Sequence, residues 1–343
     1  MVKVFVITGG TGGHIFPAIE VRNFLENLKI KTYLIVSPKT DFNKIITYNY
    51  RFDSAPLELK NLKVFLFNLY KILKSTIFAF YLTLKIKPNF MFIFGSYASF
   101  PFFIPALITG RKIFVFEQNS IPGLVTKIFS KFSHKILISF RETEKFLKKK
   151  CIFLGNPTRE LKEISKIEAR KLLKIPENKR TLLFLGGSQG AKKLIELSYS
   201  YSKLQDDTVL VIAGKFFNEY VEKLAGENFF LFPFREDIEI FYSASDIVIS
   251  RAGSGAVFEM LKLRKKAIFI PFPHAKNNHQ YYNALFAKNY GTFKLIKEDN
   301  INPYLLKCEV DNLFKEKEEF KKLPNWKEVL KRELKKCSLF IQE

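Results

Sequence analysis

The feature that most constrains this chain occurs twice: an apolar strand runs directly into a glycine-rich turn that opens a helix. Residues 2–8 lead into GGTGGH at residues 9–14, and residues 181–185 lead into GGSQGA at residues 186–191. Each copy joins a turn without bulky side chains to a helix N-terminus whose N–H groups lack partners, which suits a phosphate-sized anion. We therefore expect two similar α/β units, each with its own anion-binding turn.

Neither turn matches the common nucleotide fingerprints. The dinucleotide fingerprint needs G-x-G-x-x-G and an acidic residue about twenty positions later, but here the glycines follow the pattern G-G-x-G-G and the second strand ends in Ser37-Pro38-Lys39. The Walker A pattern is missing as well, since no Gly-Lys-Ser/Thr follows either turn. Tight packing of a helix on its strand would explain either turn alone; the repetition favours a ligand site.

Length and cysteine content narrow the class of protein. At 343 residues the chain exceeds the size at which single hydrophobic cores stop growing, which predicts two domains. Cys151, Cys308 and Cys337 are odd in number and lack C-x-x-C spacing, which indicates a reducing compartment and argues against a disulfide framework or a zinc site. No signal peptide is expected, because Met1-Val2-Lys3 leads straight into a core strand.

The chain is strongly basic, with 56 Lys and Arg against 33 Asp and Glu and a net charge of +23. Such a charge attracts nucleic acid, anionic lipid surfaces and phosphorylated substrates, although a lysine-rich solvated surface explains part of the excess. Phe makes up 38 of the 53 aromatic residues, many of them in apolar runs, and no RRM, zinc-finger or helix-turn-helix signature is present. Nucleic acid is therefore not an expected partner.

One internal segment has the composition of a membrane-active helix. Residues 64–86 approach bilayer-spanning length, but Lys71, Lys74 and Lys85 interrupt the apolar run. We interpret most of it as a buried domain helix, with an interfacial helix in an anionic leaflet as the alternative. Residues 100–108 form a second apolar stretch, and its two prolines argue against a long helix.

Both halves of the chain alternate short apolar strands with helical patterns. The expected strands cover residues 4–8, 32–36, 90–94, 112–117, 135–139, 151–154, 182–185, 209–213, 229–232, 247–250 and 267–271. This alternation predicts an α/β fold with two doubly wound parallel sheets. The turn at Gly155-Asn156-Pro157 divides the chain into domains 1–157 and 158–325, with a last helix at about 326–343 packing back on the first domain. Ligands are expected in a cleft between the two sheets.

Six segments carry polar residues at or just beyond the ends of these strands. Parallel α/β sheets bind their ligands near the carboxyl ends of the strands. The segments are GSYAS at 95–99, EQNSIPG at 117–123, GNPTR at 155–159, SRAGS at 250–254 with Glu259 in the next helix, PFPH at 271–274, and HQ at 279–280 with Asn283.

Together with the two glycine turns, the motifs EQNSIPG, GNPTR, SRAGS with Glu259, and PFPHA leading to HQYYNA give the chain a family resemblance. In this order and over nearly the whole chain, they resemble the MurG family of glycosyltransferase family 28. The resemblance implies a GT-B fold, with two Rossmann-like domains facing across a cleft.

The resemblance also implies the reaction. Members are inverting hexosyltransferases that move N-acetylglucosamine from UDP-N-acetylglucosamine to the C4 hydroxyl of the N-acetylmuramoyl sugar of lipid I, giving lipid II for peptidoglycan synthesis. It implies a peripheral enzyme on an anionic membrane surface, the cytoplasmic face of the inner membrane, without a cofactor. The lack of a D-x-D motif agrees with metal independence. A GT-B transferase glycosylating a different membrane lipid is the alternative.

The resemblance assigns most of the site to the donor nucleotide. Ser188 would bind the UDP pyrophosphate with the helix N-terminus, Glu259 would accept hydrogen bonds from the ribose hydroxyls, and uracil would lie near the backbone of Arg235. Arg159 either adds positive charge for the leaving group or forms an interdomain salt bridge. The further expected contacts are Thr11, Gly12, Gly13, Asn119, Ser254, Gly255, Ala256, Val257, Phe258 and Gln280, with Gln189, Arg251, His279 and Asn283 as additional candidates.

The acceptor hydroxyl needs a general base, and two residues are candidates. His14 comes first, because imidazole titrates near neutrality and the helix N-terminus disfavours its protonated form. Glu117 is the second candidate, and Tyr97 would orient the acceptor.

Three positions depart from the family pattern, and all lie on the acceptor side. Ser96 and Phe100 stand where the family has glycines, and Phe116 stands where it has a histidine. The donor assignments therefore follow the family more closely than the acceptor assignments.

Overall fold

The computed structural model describes residues 2–10, 12–38, 47–55, 61–95, 97–187, 190–224 and 226–337. Thr11, Ser96, Ser188, Gln189 and the last six residues of the expected C-terminal helix lie outside these residues. The chain forms two compact units: one comprises Met1–Arg159 with Pro324–Glu343, and the other Glu160–Leu323.

The first unit is built on a sheet of seven parallel strands. They are β1 (Lys3–Gly10), β2 (Lys31–Pro38), β3 (Tyr50–Arg51), β4 (Phe90–Phe94), β5 (Lys112–Glu117), β6 (Lys135–Ile138) and β7 (Ile152–Phe153). Their order in the sheet is β3-β2-β1-β4-β5-β6-β7, so the winding direction reverses between β1 and β4. Sheets of this kind bind ligands beyond the carboxyl ends of the strands at such a switch point.

Helices cover both faces of this sheet. Its first four helices are α1 (Gly12–Asn27), α2 (Leu62–Ile86), α3 (Phe100–Ile108) and α4 (Leu124–Ser130). Val4 and Val6 of β1 pack with α1 on one face, and Phe5 and Ile7 pack with α2, α3 and α4 on the other. Both faces are apolar because a parallel sheet between two helical layers is buried on each side.

The second unit repeats this winding with six parallel strands. They are β8 (Thr181–Leu185), β9 (Thr208–Ile212), β10 (Phe229–Phe232), β11 (Ile247–Ser250), β12 (Ala267–Phe269) and β13 (Phe293–Leu295), in the order β10-β9-β8-β11-β12-β13. Its helices are α5 (Lys166–Leu172), α6 (Lys192–Ser202), α7 (Phe217–Tyr220), α8 (Ile238–Ala244), α9 (Ser254–Leu263), α10 (His279–Ala287) and α11 (Pro303–Lys315). The switch point lies between β8 and β11.

The last described helix, α12 (Trp326–Lys335), belongs to the first unit. Trp326, Leu330 and Leu334 join the apolar cluster that α1 forms on the sheet. Glu333 is 4% exposed, and its carboxylate lies 2.8 Å from the ammonium group of Lys135, beside β6. The C-terminal segment thus completes the core of the unit that begins the chain.

The predicted α/β class with two doubly wound parallel sheets is confirmed. The short edge strands β3 and β13 were not predicted, because two or three residues carry too little alternation to distinguish a strand from a loop.

The interpretation of residues 64–86 as a mostly buried helix is wrong. Among the described residues, α2 is one helix that is long and apolar enough to cross a membrane, by length and composition alone, and only 17% of its apolar window is buried. Its inward face packs on the sheet through Ala79, Leu82 and Ile86. A helix with apolar residues around most of its circumference has more apolar surface than one sheet face can cover.

Candidate active site

The first glycine turn holds His14 at the switch point of the first sheet. β1 ends at Gly10, whose φ of +87° suits glycine, and His14 lies in the first turn of α1. A Cβ atom on Gly9 would lie 2.5 Å from the Ala98 Cβ and 2.6 Å from the Ser37 carbonyl oxygen. The Thr8 hydroxyl donates to the His14 carbonyl oxygen at 3.0 Å. The turn is therefore closely packed, which fixes the start of α1.

Gln118 contacts the imidazole of His14. Its amide Nε2 lies 2.7 Å from Nδ1 and 3.0 Å from Nε2 of the ring. The Gln118 side chain is 2% exposed, and its Oε1 has no hydrogen-bond partner among the described residues. A buried carboxamide beside a half-buried imidazole can hold the ring in one orientation. The contact joins the loop after β5 to the first turn of α1.

Glu117, the second base candidate, is buried at the end of β5 with 2% of its surface exposed. Its Oε1 accepts from the Asn119 backbone N–H at 3.0 Å. Its Oε2 accepts from the Thr126 hydroxyl at 2.6 Å and from the Gly123 N–H at 3.2 Å. Both oxygens therefore hold the loop between β5 and α4 closed.

Burial raises the pKa of Glu117 above 4.5, opposed by the hydrogen bonds from Thr126, Asn119 and Gly123. From pH 4.5 up to its folded-state pKa, the folded chain binds more protons at this site than the unfolded chain, so stability falls as the pH rises. Glu117→Gln has no titratable group at this position. The difference between the thermal unfolding midpoints of the wild type and this variant is therefore expected to become smaller as the pH rises through this range. Paired unfolding scans from pH 4.5 to 7.5 measure the difference; a growing difference would contradict the burial argument.

Tyr97 and the positions that depart from the family pattern have different structural settings. Tyr97 is half-buried at the start of a short 3₁₀ turn before α3. Phe116 is 1% exposed and packs against Phe94, with ring centroids 5.1 Å apart, so the position where the family has a histidine is part of the core here. Phe100 is half-buried, 6.0 Å from the Phe129 ring. Ser96 lies outside the described residues.

The second glycine turn folds back on itself between β8 and α6. Gly187 and Gly190 have φ of +75° and +72°, and the Gly190 N–H donates to the Gly187 carbonyl oxygen at 2.9 Å. A Cβ on Gly186 would lie 2.4 Å from the Ala191 nitrogen. A tight turn of this kind directs backbone N–H groups toward one point, which is how anion-binding concavities form. Ser188 and Gln189, which the sequence assigns to this turn, lie outside the described residues.

Helix α9 begins at the neighbouring strand end, across the switch point. Ser254 is 3% exposed in its first turn, followed by half-buried Gly255 and Ala256. Val257 and Phe258 are 0% and 3% exposed, so their side chains belong to the core and only their backbone can face a ligand. The first turn of a helix carries N–H groups without intrahelical partners, which makes it a site for anions and hydroxyl oxygens.

Glu259 is half-buried in the second turn of α9, and its Oε2 accepts a hydrogen bond from the Tyr242 hydroxyl at 2.6 Å. Tyr242 lies on α8 and is 2% exposed. The Glu259 carboxylate is therefore held by a residue of a second helix. That helix, α8, precedes β11 in the chain, whereas α9 follows it.

Residues of α10 support the adjoining loops. The Asn283 side chain is buried and donates to the Ala252 carbonyl oxygen at 3.1 Å. Gln280 accepts from the Phe272 N–H at 2.9 Å. His279 donates through Nδ1 to the Lys276 carbonyl oxygen at 2.8 Å, and burial lowers its pKa below 6.5 against the opposing effect of that bond. The lowered pKa favours the uncharged imidazole, a state suited to hydrogen bonding with hydroxyl groups.

Three arginines of the predicted site differ in burial and in their hydrogen-bond and ion-pair partners. The buried Arg251 donates to the carbonyl oxygens of Ile270 and Pro271 at 3.1 and 3.3 Å, and it forms an ion pair with Glu298. It therefore braces the ends of β11 and β12. Arg235 is half-buried and its guanidinium forms two hydrogen bonds with Asp237, at 2.8 and 2.6 Å. Arg159 is half-buried at the end of the first unit.

Each sheet thus gathers one set of predicted residues at its carboxyl edge. The first brings together Gly12, Gly13, His14, Tyr97, Glu117 and Asn119, and the second brings together Gly186, Gly190, Arg235, Arg251, Ser254, Glu259, Gln280 and Asn283. Within the described ranges, no group of three His, Cys, Asp or Glu side chains is arranged to hold a metal ion. Among the residues in direct contact with predicted site residues, Gln118 and Tyr242 were missed. The position of Gln118 inside EQNSIPG was the available signal, whereas Tyr242 carries none in the sequence.

Known protein families match both halves of the chain. Residues 4–138 match the glycosyltransferase family 28 N-terminal domain, and residues 181–336 match the glycosyltransferase family 28 C-terminal domain. A relative from Sulfurihydrogenibium sp. (strain YO3AOP1) is 36% identical, covering 92% of this chain and 90% of its own. One from Aquifex aeolicus is 34% identical, covering 93% and 95%. Both are named UDP-N-acetylglucosamine:N-acetylmuramyl-(pentapeptide) pyrophosphoryl-undecaprenol N-acetylglucosamine transferase.

Solved structures share the fold. The crystal structure of Acinetobacter baumannii MurG superposes with a TM-score of 0.72 and 24% identity, covering 91% of each chain. A UDP-GlcNAc 2-epimerase from Neisseria meningitidis bound to UDP-GlcNAc superposes with a TM-score of 0.67 and 13% identity, covering 98% of this chain and 100% of that one. The expected GT-B fold class is confirmed.

Proposed function

The chain belongs to glycosyltransferase family 28, and on that premise we propose that it transfers N-acetylglucosamine from UDP-N-acetylglucosamine to the N-acetylmuramoyl sugar of lipid I. The product is lipid II, the precursor used in peptidoglycan synthesis. Curated relatives from two organisms have the name of this transferase, and the match covers at least nine tenths of the length of each relative. Their names support lipid I over a different membrane lipid as the acceptor.

The single observation that carries the donor assignment is the geometry at the second switch point. The tight turn at Gly186–Gly190 and the first turn of α9 end at the same edge of one sheet, and Glu259 lies half-buried on α9. A pyrophosphate suits backbone N–H groups and helix N-termini, and a carboxylate suits the two ribose hydroxyls. The second unit is thus our proposed donor domain.

The proposed reaction inverts the anomeric carbon. The C4 hydroxyl oxygen of the acceptor attacks that carbon while its bond to the UDP oxygen breaks, and the electron pair leaves with UDP. Charge on the leaving diphosphate is stabilised by the N–H groups of the glycine turn and of α9. This stabilisation by the chain's own groups supports a metal-independent reaction.

His14 is our proposed general base in the first unit, the acceptor domain. It takes the proton of the attacking hydroxyl, and Gln118 holds the imidazole in place at 2.7 Å. Glu117 is assigned to the loop, because its two oxygens already accept hydrogen bonds from Asn119, Gly123 and Thr126. Tyr97 and the side chain of Asn119 lie at the same edge and are our proposed sugar contacts.

The exposed face of α2 supports binding to the cytoplasmic surface of the inner membrane. Apolar side chains repeat along it at a spacing of three or four residues: Leu66, Tyr70, Leu73, Ile77, Tyr81 and Leu84, each more than half exposed. Lys63, Lys71, Lys74 and Lys85 lie on the same helix. Because the opposite face packs on the sheet, we expect the helix to lie in the interface and not to span the bilayer.

Replacing Leu73 and Ile77 together by serine is expected to reduce binding to anionic phospholipid vesicles by about tenfold or more. Both side chains are mostly exposed, so folding should be unaffected. The matched control is Ile167→Ser with Leu172→Ser on α5 in the other unit, whose side chains are also more than half exposed. Vesicle sedimentation measures the effect; equal loss in both double variants would argue against a role for α2.

Calorimetric titration of the full chain with UDP-N-acetylglucosamine tests the donor assignment. We expect saturable binding that is weakened by Glu259→Ala. A protein that uses its net charge of +23 to bind nucleic acid would instead bind oligonucleotides with strong salt dependence and be indifferent to the UDP-sugar. That second outcome would overturn the proposed function.

A further inference from the structure

The hydrogen bond between Tyr242 and Glu259 links two helices on either side of β11 in the chain. Tyr242 belongs to α8, which precedes the strand, and Glu259 to α9, which follows it. The phenol oxygen lies 2.6 Å from the carboxylate oxygen, the short distance expected when a hydroxyl donates to a charged acceptor. Tyr242 is 2% exposed, so its hydroxyl lies beneath the site rather than on its surface.

The backbone that carries Tyr242 is itself held in place. The Ser245 hydroxyl donates to the Tyr242 carbonyl oxygen at 3.0 Å, and the Ser245 N–H donates to the Phe241 carbonyl oxygen at 3.1 Å. The Lys265 ammonium group donates to the Ser245 carbonyl oxygen at 2.8 Å. The C-terminus of α8 is therefore closed by hydrogen bonds, and the phenol has a defined direction.

The same segment reaches the proposed uracil contact. The Arg235 guanidinium lies 5.6 Å from the ring centroid of Phe241, the residue before Tyr242, and forms two hydrogen bonds with Asp237 at the start of α8. Residues 235–242 thus connect the expected position of the base to the partner of the expected ribose ligand. One short segment therefore carries a residue expected near the base and a residue that contacts the expected ribose ligand.

A carboxylate has about four positions at which it accepts hydrogen bonds. Tyr242 uses one of them, on Oε2, and a pair of neighbouring hydroxyls would use two. A glutamate has three rotatable bonds, and ordering such a side chain on binding costs free energy. When Tyr242 fixes the carboxylate before the ligand binds, the side chain loses this conformational freedom on folding. Binding of the ligand then does not have to order it.

We propose that Tyr242 is a positioning residue that sets the selectivity of this site for a ribonucleotide over a 2′-deoxyribonucleotide donor. The inference rests on the proposed function, since it takes Glu259 as the ligand of the ribose hydroxyls. Tyr242 acts through Glu259 and does not touch the ligand. Its loss therefore raises the KM for UDP-N-acetylglucosamine and leaves kcat nearly unchanged.

The test compares the Kd of UDP with that of 2′-deoxy-UDP by calorimetry on the full chain. For the wild type we expect UDP to bind about 10- to 100-fold more tightly, because one hydroxyl bonded to a charged group is lost in the analogue. Tyr242→Phe should lower this ratio by about fivefold or more, and Glu259→Ala should bring it close to one.

Tyr201→Phe is the matched control. Tyr201 is fully buried in the same unit, and its hydroxyl also donates to a carboxylate, that of Asp207 before β9. The control removes the same group from the amino end of the sheet, so it should cost stability while leaving the UDP to 2′-deoxy-UDP ratio within about twofold of the wild type.

The outcomes separate the two claims. If Glu259→Ala removes the preference and Tyr242→Phe retains it in full, the positioning role is wrong and the donor site stands. If Tyr201→Phe lowers the ratio as much as Tyr242→Phe, the effect is general loss of stability and the inference is wrong. If the wild type binds no UDP, the proposed function fails together with the inference.

Discussion

Replacing His14 by alanine is expected to lower kcat for transfer by about 10²- to 10⁴-fold, the range typical of removing a general base. The imidazole is the titratable group that the first glycine turn places in the first turn of α1, with Gln118 against its ring. The KM for UDP-N-acetylglucosamine should change little, because the proposed pyrophosphate and ribose contacts lie in the second unit. Steady-state assays at saturating acceptor separate the two parameters.

His134→Ala is the matched control for this variant. His134 lies in the same unit just before β6, where its Nε2 is 3.4 Å from the Cys337 sulfur, and burial lowers its pKa. It stands at the amino end of the sheet, so its loss should cost some stability and leave kcat near the wild-type value. Equal kcat for His14→Ala and the wild type would remove His14 as the base.

Gly186→Ala is expected to raise the KM for UDP-N-acetylglucosamine by about 10- to 100-fold. The new Cβ would lie 2.4 Å from the Ala191 nitrogen and 2.7 Å from the Gly190 carbonyl carbon. Both atoms belong to the backbone, so the turn itself must move and its N–H groups must leave their positions. Overpacking of this kind also lowers the free energy of unfolding by about 1–3 kcal/mol.

Gly226→Ala controls for the exchange of glycine by alanine in the same unit. The nearest atom to its added Cβ is 3.5 Å away, an ordinary contact, and φ at this position is not positive. Paired kinetics and thermal unfolding of the two variants measure the effect. A Gly186→Ala enzyme with an unchanged KM would show that the turn does not bind the donor pyrophosphate.

The architecture could be predicted from the sequence because its strands are strongly apolar and regularly spaced. All eleven strands expected from the pattern end within about two residues of the observed ends. The glycine turns indicated where the switch points of the two sheets lie. Two backbone segments come close together at such a turn, as they do at Gly186, and only glycine leaves room for this. Strands as short as β3 and β13 left no periodic signal.

The surroundings of the site residues were less predictable. Val257 and Phe258 were expected to line the nucleotide, but the helical position of each side chain turns it into the core. Glu117 looked like a second base, and only the three-dimensional loop shows both of its oxygens engaged. Tyr242 lies seventeen positions before its partner Glu259, and nothing in the sequence indicates that α8 and α9 place them together.

The α2 error has a simple physical origin. Apolar composition alone does not distinguish a helix enclosed by protein from one that faces a membrane. Leu73 and Ile77 are as apolar as Ile72 and Ala79, yet the first two are exposed and the last two are buried. Only the position of the sheet decides which stripe of the helix is covered.

Transfer of labelled N-acetylglucosamine from UDP-N-acetylglucosamine to a lipid I analogue, with diacylglycerol as the competing acceptor, tests the central claim most directly. We predict label in the disaccharide product from lipid I, dependence on His14, and none in diacylglycerol. Label in diacylglycerol with none in the lipid I analogue would contradict the account and identify a transferase for a different membrane lipid.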